Sequence, residues 1–262
     1  MSNAGPELRP DDVPVRDAAT VVLLRDGVVG VEVWLLTRVV GMQFAAGMSV
    51  FPGGRVDDAD SSLPISAGDI ATMAARFGCD EETMHALVGA AVRETFEETG
   101  VLLTVPAADL SHARADVERG LVSFGELLLA NRLSIDASVL HPWSRWVTPK
   151  GEVRRYDTRF FVGRLPEGAE AANVTSESSA AEWLPIGLAI EQAQRGQRQL
   201  LPPTMLTLVA LADCASVAEV FTIAETSSLE PVRPKLIIGA DRSITVELPD
   251  GRLIPIRPGA GA

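Results

Sequence analysis

Arg93-Glu94-Thr95-Phe96-Glu97-Glu98-Thr99-Gly100-Val101 is the stretch on which the reading of this 262-residue chain turns. Upstream, Asp80 is a good helix N-cap and Gly100 suits the residue just past a helix end. Nothing between them breaks a helix, so one is expected over about 81–99. At about 100° per residue, Val88, Val92 and Phe96 fall on one side while Glu94, Glu97 and Glu98 gather roughly opposite, on a face turned away from the core. Carboxylates spaced i, i+3 and i+4 repel one another by a few tenths of a kcal/mol per pair, so a cation is expected beside them. Arg93 reaches Glu97 one turn on, but one guanidinium does not neutralise three carboxylates. A hard divalent cation does, because Mg²⁺ takes oxygen ligands octahedrally and keeps waters or phosphate oxygens in its shell. The plain alternative is a solvated acidic helix face. Against it stand Ala90-Ala91 just before the motif and Phe51-Pro52-Gly53-Gly54 further upstream, where paired glycines let a backbone approach a ligand closely.

Arg93 to Val101 resemble the second half of the Nudix box, Gly-x5-Glu-x7-Arg-Glu-U-x-Glu-Glu-x-Gly-U with U apolar, and Thr95 occupies an apolar slot. With Gly54 as the first glycine of the box, Asp60 stands in place of its first glutamate, which in the family usually supports the geometry of loop and helix. Residues 61–92, 32 in all, stand where the box has seven, an insertion of 25. Such an insertion is similar to one found in a branch of Nudix enzymes like the peroxisomal coenzyme A diphosphatases. Leu35-Leu36-Thr37-Arg38 ahead of Gly47-x3-Phe51-Pro52-Gly53-Gly54 resembles the coenzyme A signature of that branch, with Gln43 where the signature carries an arginine. Trp143 to Pro149, Tyr156 to Phe161 and Leu201-Pro202-Pro203 are similar to it as well, so the resemblance spans about residues 17–215.

The resemblance implies a Nudix α/β/α sandwich with a mixed β-sheet. It also implies Mg²⁺ or Mn²⁺ held by Glu94, Glu97, Glu98 and Gly54, with Arg93 orienting the carboxylates and Arg38, Phe51, Gly53 and Gly54 meeting the substrate. Glu94 is one candidate general base; Glu177, in the polar loop Asn173 to Ser179, is a second, and Glu182 a weaker one. Arg154, Arg155 and Arg159 join Arg38 as candidates to meet substrate negative charge. The implied reaction is hydrolysis of a diphosphate linkage in a nucleoside diphosphate joined to another moiety. Coenzyme A or its acyl esters come first as substrates, giving 3′,5′-ADP and 4′-phosphopantetheine; ADP-ribose or NADH is the alternative that Gln43 favours. A catalytically silent nucleotide-binding module is the alternative of another class, and loss of the box glutamates would be its mark. Similar enzymes form homodimers, which leaves that assembly open here.

A formal net charge of −12 argues against extended nucleic-acid binding, which needs a basic surface. Cys79 and Cys214 offer neither a disulfide framework nor metal-ligand spacing and read as packing residues of a reducing compartment. The three histidines, His85, His112 and His141, show no ligand spacing. No run of about 20 apolar residues marks a membrane span. Glu7, Asp11 and Asp12 stand where a secretory leader would be basic and then apolar, and Pro258 to Ala262 form no peroxisomal address, so a cytoplasmic location is expected.

Along the chain, strands are expected at Ala18 to Leu24 and Val31 to Thr37, joined by a turn at Arg25-Asp26-Gly27. Ile70, Met73, Ala74 and Phe77 are spaced for an amphipathic helix, which makes the insertion, about 61–85, partly helical: a lid, a dimer contact or a buttress. A strand at Val101 to Val105, a helical stretch over 107–130, a central strand from Asp157 to Leu165 and helices near 186–195 and from Pro202 follow. Lys235 to Ile238 and Ser243 to Leu248 read as strands of a C-terminal β-rich extension. The expected organisation is therefore a flexible N-terminus (1–16), a Nudix domain (17–225) and that extension (226–262), in the α/β class.

Overall fold

The computed structural model describes residues 13–39, 47–172, 178–238 and 244–256. The first element is a hairpin of β1 (Val15–Gly27) and β2 (Gly30–Arg38). Side chains alternate along β1, so that Ala19, Val21 and Leu23 enter one apolar cluster and Val22 and Leu24 enter a second on the opposite face. The hairpin reverses at Val28-Val29 rather than at Arg25-Asp26-Gly27, because Gly27 pairs with Gly30 and Asp26 with Val31. The registers of Arg25 and Glu32 bring those side chains into a 2.6 Å ion pair. Asp26 is drawn into tertiary structure instead of the turn: its carboxylate accepts from the Val217 N–H at 2.8 Å and pairs with Arg164 at 2.7 Å.

Two short strands, β3 (Ser49–Val50) and β4 (Gly53–Arg55), add to β2 and β1 respectively. After a 3₁₀ turn at Asp58–Ser62, the insertion supplies β5 (Ile65–Ala67), α1 (Ile70–Phe77) and the start of α2 (Glu81–Thr99). Asp69 and Asp80 cap the two helices, accepting from Thr72 and Thr83 N–H at 2.9 and 2.7 Å. Gly78 and Gly100 end them in left-handed conformations with φ of 65° and 76°. Of the three roles open to the insertion helix, the structure supports the buttress. Met73, Ala74 and Phe77 bury into the first cluster, and Arg145 donates to the Phe77 carbonyl at 2.8 Å.

The strand expected from Val101 shrinks to β6 (Thr104–Val105), and the helical stretch over 107–130 is broken. It becomes α3 (Arg114–Glu118) and α4 (Phe124–Ala130), because Gly120 takes a left-handed φ of 68° and Ser123 caps a fresh helix. There follow β7 (Ser134–Asp136), β8 (Leu140–Val147), β9 (Arg155–Arg164) and β10 (Ser178–Pro185). The helices α5 (Ile186–Gln194), α6 (Pro202–Leu211) and α7 (Val217–Thr226) come next, and then β11 (Lys235–Ile238), β12 (Ile244–Glu247) and β13 (Leu253–Ile256).

The main sheet has seven strands in the order β10-β2-β1-β9-β8 with β3 and β4 attached, and it is mixed: β1 and β9 run parallel, the other pairs antiparallel. Helix α2 covers one face through Met84, Val88 and Phe96; α5, α6 and α7 cover the other through Ala189, Leu208 and Val217. That is an α/β/α sandwich with a mixed sheet. The C-terminal strands form their own antiparallel sheet, β11-β12-β13, and Val246 and Leu248 bury in the second cluster, so the extension packs on its own chain. No helix among the described residues is long and apolar enough to cross a membrane.

Candidate active site

Everything at the site is placed by the contact between the C-terminal half of α2 and strand β4. Phe96 is fully buried below, and Thr95, in its apolar slot, is buried too because its hydroxyl donates back to the Ala91 carbonyl at 2.7 Å. Glu94, Glu97 and Glu98 turn away from that core, as the periodicity requires, yet they are largely covered. Their covering is β4, whose glycines have no side chains to hold it off. The Gly53 N–H donates to Glu98 Oε2 at 2.9 Å, and a Cβ on Gly54 would lie 2.3 Å from Glu94 Oε1. Glu98 is 8 % exposed, because the covering strand comes from distant sequence, so the plain alternative of a solvated acidic face does not hold.

Arg93 is the joint of the site. Its Nε and Nη2 donate to the two oxygens of Asp60 at 2.8 and 2.9 Å, Nη2 also reaches the Arg55 carbonyl at 3.0 Å, and Nη1 donates to Glu94 at 2.8 Å and Glu97 at 3.4 Å. Asp60 is 1 % exposed and accepts as well from the Asp57 N–H at 2.8 Å. The aspartate standing for a box glutamate therefore does what that position is expected to do, holding loop to helix. It reaches because the 3₁₀ turn lies directly on α2 at Gly89, where a Cβ would stand 2.5 Å from the Asp60 carbonyl oxygen. Sequence reading overlooked Gly89; a glycine inside a helix, where alanine is favoured by about 1 kcal/mol, was the available signal.

Burial raises Glu94 to about 7, overcoming the opposing pull of Arg93, and it raises Glu97 as well. Burial also works against the charge on Arg93, but Asp60, Glu94 and Glu97 together hold its pKa above the ordinary value. The cluster has more carboxylate than cation. Among the described residues no group of three or more His, Cys, Asp or Glu is arranged to hold an ion. The reason is visible in the hydrogen bonds: Glu98 is turned to Gly53, while Glu94 and Glu97 share one nitrogen of Arg93. The donor set nonetheless fits a hard divalent cation in its chemistry, being all oxygen and short of positive charge.

These groups front a cavity of about 580 Å³, within the ordinary range for small-molecule sites. The candidate substrate residues Arg38, Phe51, Gly53 and Gly54 line it, as do Arg93 and the three α2 glutamates. So do residues of each resembling stretch: Trp146 to Pro149, Tyr156 and Phe160, and Leu201 to Pro203. Of the other candidate arginines, Arg154 lines the cavity. Arg159 does not: it is buried and committed to Asp17 and to the Asp157 carbonyl, because its side chain points from β9 towards β1's start. Arg155 is likewise turned to the Thr148 carbonyl at 3.2 Å. Glu182 is ion-paired with Arg198 at 2.6 Å, outside the cavity lining. Glu177 and Gln43 lie outside the described residues. The contributors that were not foreseen include Glu118, held by Arg114, which also donates to the Glu97 carbonyl, and the C-terminal sheet through Leu236 and Val246. His141 stacks on Phe221 at 4.0 Å, Cys79 is half-buried and Cys214 buried, as packing residues.

A box helix with Arg-Glu-x-x-Glu-Glu, tied to a Gly-Gly strand on a mixed sheet between helical layers, defines a Nudix hydrolase, and the chain belongs to that family. Residues 83–211 match the NUDT19 Nudix domain. The crystal structure of a NUDIX hydrolase from Alicyclobacillus acidocaldarius is 30% identical, covers 84% of this chain and 99% of that one, and superposes with a TM-score of 0.68. Among curated proteins, the acyl-coenzyme A diphosphatase NUDT19 of Xenopus laevis is 26% identical over 274 residues, 87% of this chain and 72% of that protein. The putative nudix hydrolase 7 of Caenorhabditis elegans is 29% identical over 188 residues, 69% of this chain; the match spans 56% of that relative's length.

Proposed function

We propose that this enzyme hydrolyses the diphosphate linkage of coenzyme A or its acyl esters, with Mg²⁺ or Mn²⁺, releasing 3′,5′-ADP and a 4′-phosphopantetheine. The observation that carries this reading is the single cavity onto which the α2 carboxylates, the Gly53-Gly54 strand and Arg38 all open. The likeness to the NUDT19 domain supports the coenzyme A side of it.

Glu94, Glu97 and Glu98, with the main chain at Gly54, would hold the ion. When bound, a divalent ion supplies charge neutralisation for the phosphate oxygens and a more acidic water. Arg93 fixes where the carboxylates stand, through Asp60 on one side and Glu94 on the other. Glu94 has a second candidate role, that of the base; in that arrangement Glu97, Glu98 and the main chain at Gly54 would hold the ion. Arg38 and Arg154, both on the cavity wall, meet the remaining phosphate charge. The enzyme works in the cytoplasm on a small-molecule nucleotide.

The test is product analysis by chromatography with coenzyme A, acyl-coenzyme A, ADP-ribose, NADH and diadenosine polyphosphates, each with Mg²⁺, Mn²⁺ or EDTA. Metal-dependent release of 3′,5′-ADP is the expected result. Cleavage of ADP-ribose or NADH in preference to coenzyme A would overturn the substrate assignment. Binding without cleavage of anything would overturn the enzymatic one.

A further inference from the structure

The cavity has a far end that the carboxylates do not reach. Arg55, Ala18, Thr158 and Trp146 are successive partners across β4, β1, β9 and β8, and Gly53, Thr20 and Phe160 form a parallel row. With neighbouring strands about 4.8 Å apart, the floor from β4 to β8 is roughly 14 Å long. Its near end carries the glycines and the α2 glutamates; its far end carries Trp146 and Phe160.

Above that far end stands the C-terminal sheet. Pro234, Leu236 and Val246 line the cavity there. The roof is fixed, not merely adjacent: Val232 donates to the Arg145 carbonyl at 2.8 Å and accepts from the Val147 N–H at 2.9 Å, which stitches the approach to β11 onto the edge of β8. Val246 is buried in the second cluster, whereas Leu236 is half-buried.

The polar lining residues Thr148, Glu152, Arg154 and Tyr156 belong to the β8–β9 connection and the start of β9. The side chains of the roof are aliphatic or proline, which suits a flexible methylene chain, and each buried methylene strengthens binding by about fourfold. We propose that the far end is an apolar annex for the acyl chain of a thioester substrate, with Leu236 of the C-terminal sheet setting the preference for chain length. This rests on the coenzyme A reading of the site. It makes the C-terminal extension a specificity element, remote from the phosphorus under attack.

The experiment is steady-state kinetics of the full chain with Mg²⁺ on coenzyme A and its butanoyl, octanoyl and lauroyl esters, for the wild type and Leu236→Ala. In the wild type, kcat/KM should rise with chain length and then level off when the annex is filled. Leu236→Ala should lower the octanoyl-to-coenzyme A ratio by about fivefold, mainly through KM, because a contact remote from the reacting centre acts on binding. A flat wild-type profile alongside good coenzyme A hydrolysis would overturn the annex while leaving the substrate reading intact, and it needs no variant. An equal loss for coenzyme A and the octanoyl ester in Leu236→Ala would overturn it as well, by assigning the annex to the shared nucleotide. Absence of cleavage for every ester and for coenzyme A would sink the substrate reading itself, and the annex with it.

Discussion

Replacing Glu94 by glutamine is expected to stabilise the metal-free protein. Burial raises the Glu94 carboxyl from 4.5 to about 7 in the folded state. Between those values the folded protein keeps a proton that the unfolded chain has released, so wild-type stability falls as pH rises through this window and levels off above it. At 1.36 kcal/mol per unit, the difference amounts to at most about 3 kcal/mol above pH 7. Glutamine has the shape of the protonated acid, can still accept from Arg93, and never acquires the buried charge. In EDTA at pH 8, Glu94→Gln should therefore unfold at a higher temperature than the wild type, by about 6–12 °C if the full 3 kcal/mol is realised. Near pH 4.5 the two should unfold together. Added Mg²⁺ should reverse the order at pH 8, since an ion that binds the folded carboxylates stabilises only the wild type appreciably. The assay is thermal unfolding followed by circular dichroism at both pH values, with EDTA or Mg²⁺. If the variant in EDTA tracks the wild type at pH 8 as closely as at pH 4.5, the argument that Glu94 carries an under-compensated buried charge is refuted.

Asp60→Asn removes the charge paired with Nε and Nη2 of Arg93, leaving it Glu94 and Glu97, and should cost about 3 kcal/mol in urea unfolding, the usual scale for breaking one side of a buried pair. A loss under 1 kcal/mol would show the pairing to be dispensable. Gly54→Ala puts a methyl 2.3 Å from Glu94 Oε1 and should reduce kcat at least tenfold with the circular dichroism spectrum unchanged; undiminished turnover would separate Glu94 from the chemistry. Gly89→Ala should destabilise by roughly 1–3 kcal/mol, although alanine is the better helix former, because its methyl would meet the Asp60 carbonyl at 2.5 Å. A neutral or stabilising result would mean that the 3₁₀ turn is free to move off α2.

What was legible in the sequence was local. The limits of α2 follow from Asp80 and Gly100, and both caps form as their side-chain chemistry dictates. The alternation along β1 and the amphipathic spacing of α1 are likewise properties of neighbours in sequence, and each places its residues in the expected cluster. The break of the 107–130 helix at Gly120 and Ser123 was local, but the failures around the site were of long range. The 3.6-residue period sent the α2 glutamates away from Phe96 but said nothing of a strand 40 residues upstream that covers them. Arg159 was one candidate to meet substrate negative charge; its commitment to Asp17 arises only when β1 and β9 pair in parallel. Asp26-Gly27 carries a strong turn signal, yet the demand of Val217 and Arg164 for the Asp26 carboxylate moves the reversal one step on. No local pattern announces that the C-terminal sheet docks over the cavity, since docking depends on Val232 finding the free edge of β8.

The insertion shows how a catalytic motif survives division. Between the glycine strand and the box helix the chain inserts a strand, a helix and the opening turns of α2, so sequence proximity no longer holds loop to helix. Direct contact takes over that task. An aspartate is one methylene shorter than a glutamate and reaches Arg93 only if its backbone comes close, and the backbone comes close only where the helix offers no Cβ, at Gly89. The two departures from an ordinary helix-and-loop pattern, Asp60 and Gly89, are therefore parts of one solution. A longer side chain at position 60 with glycine retained at 89 would be overpacked against α2, and a larger residue at 89 with aspartate retained at 60 would lift the carboxylate out of reach of Arg93. The constraint couples positions 29 residues apart in sequence, on either side of the insertion, while the residues between them are free to build the buttress on the first core.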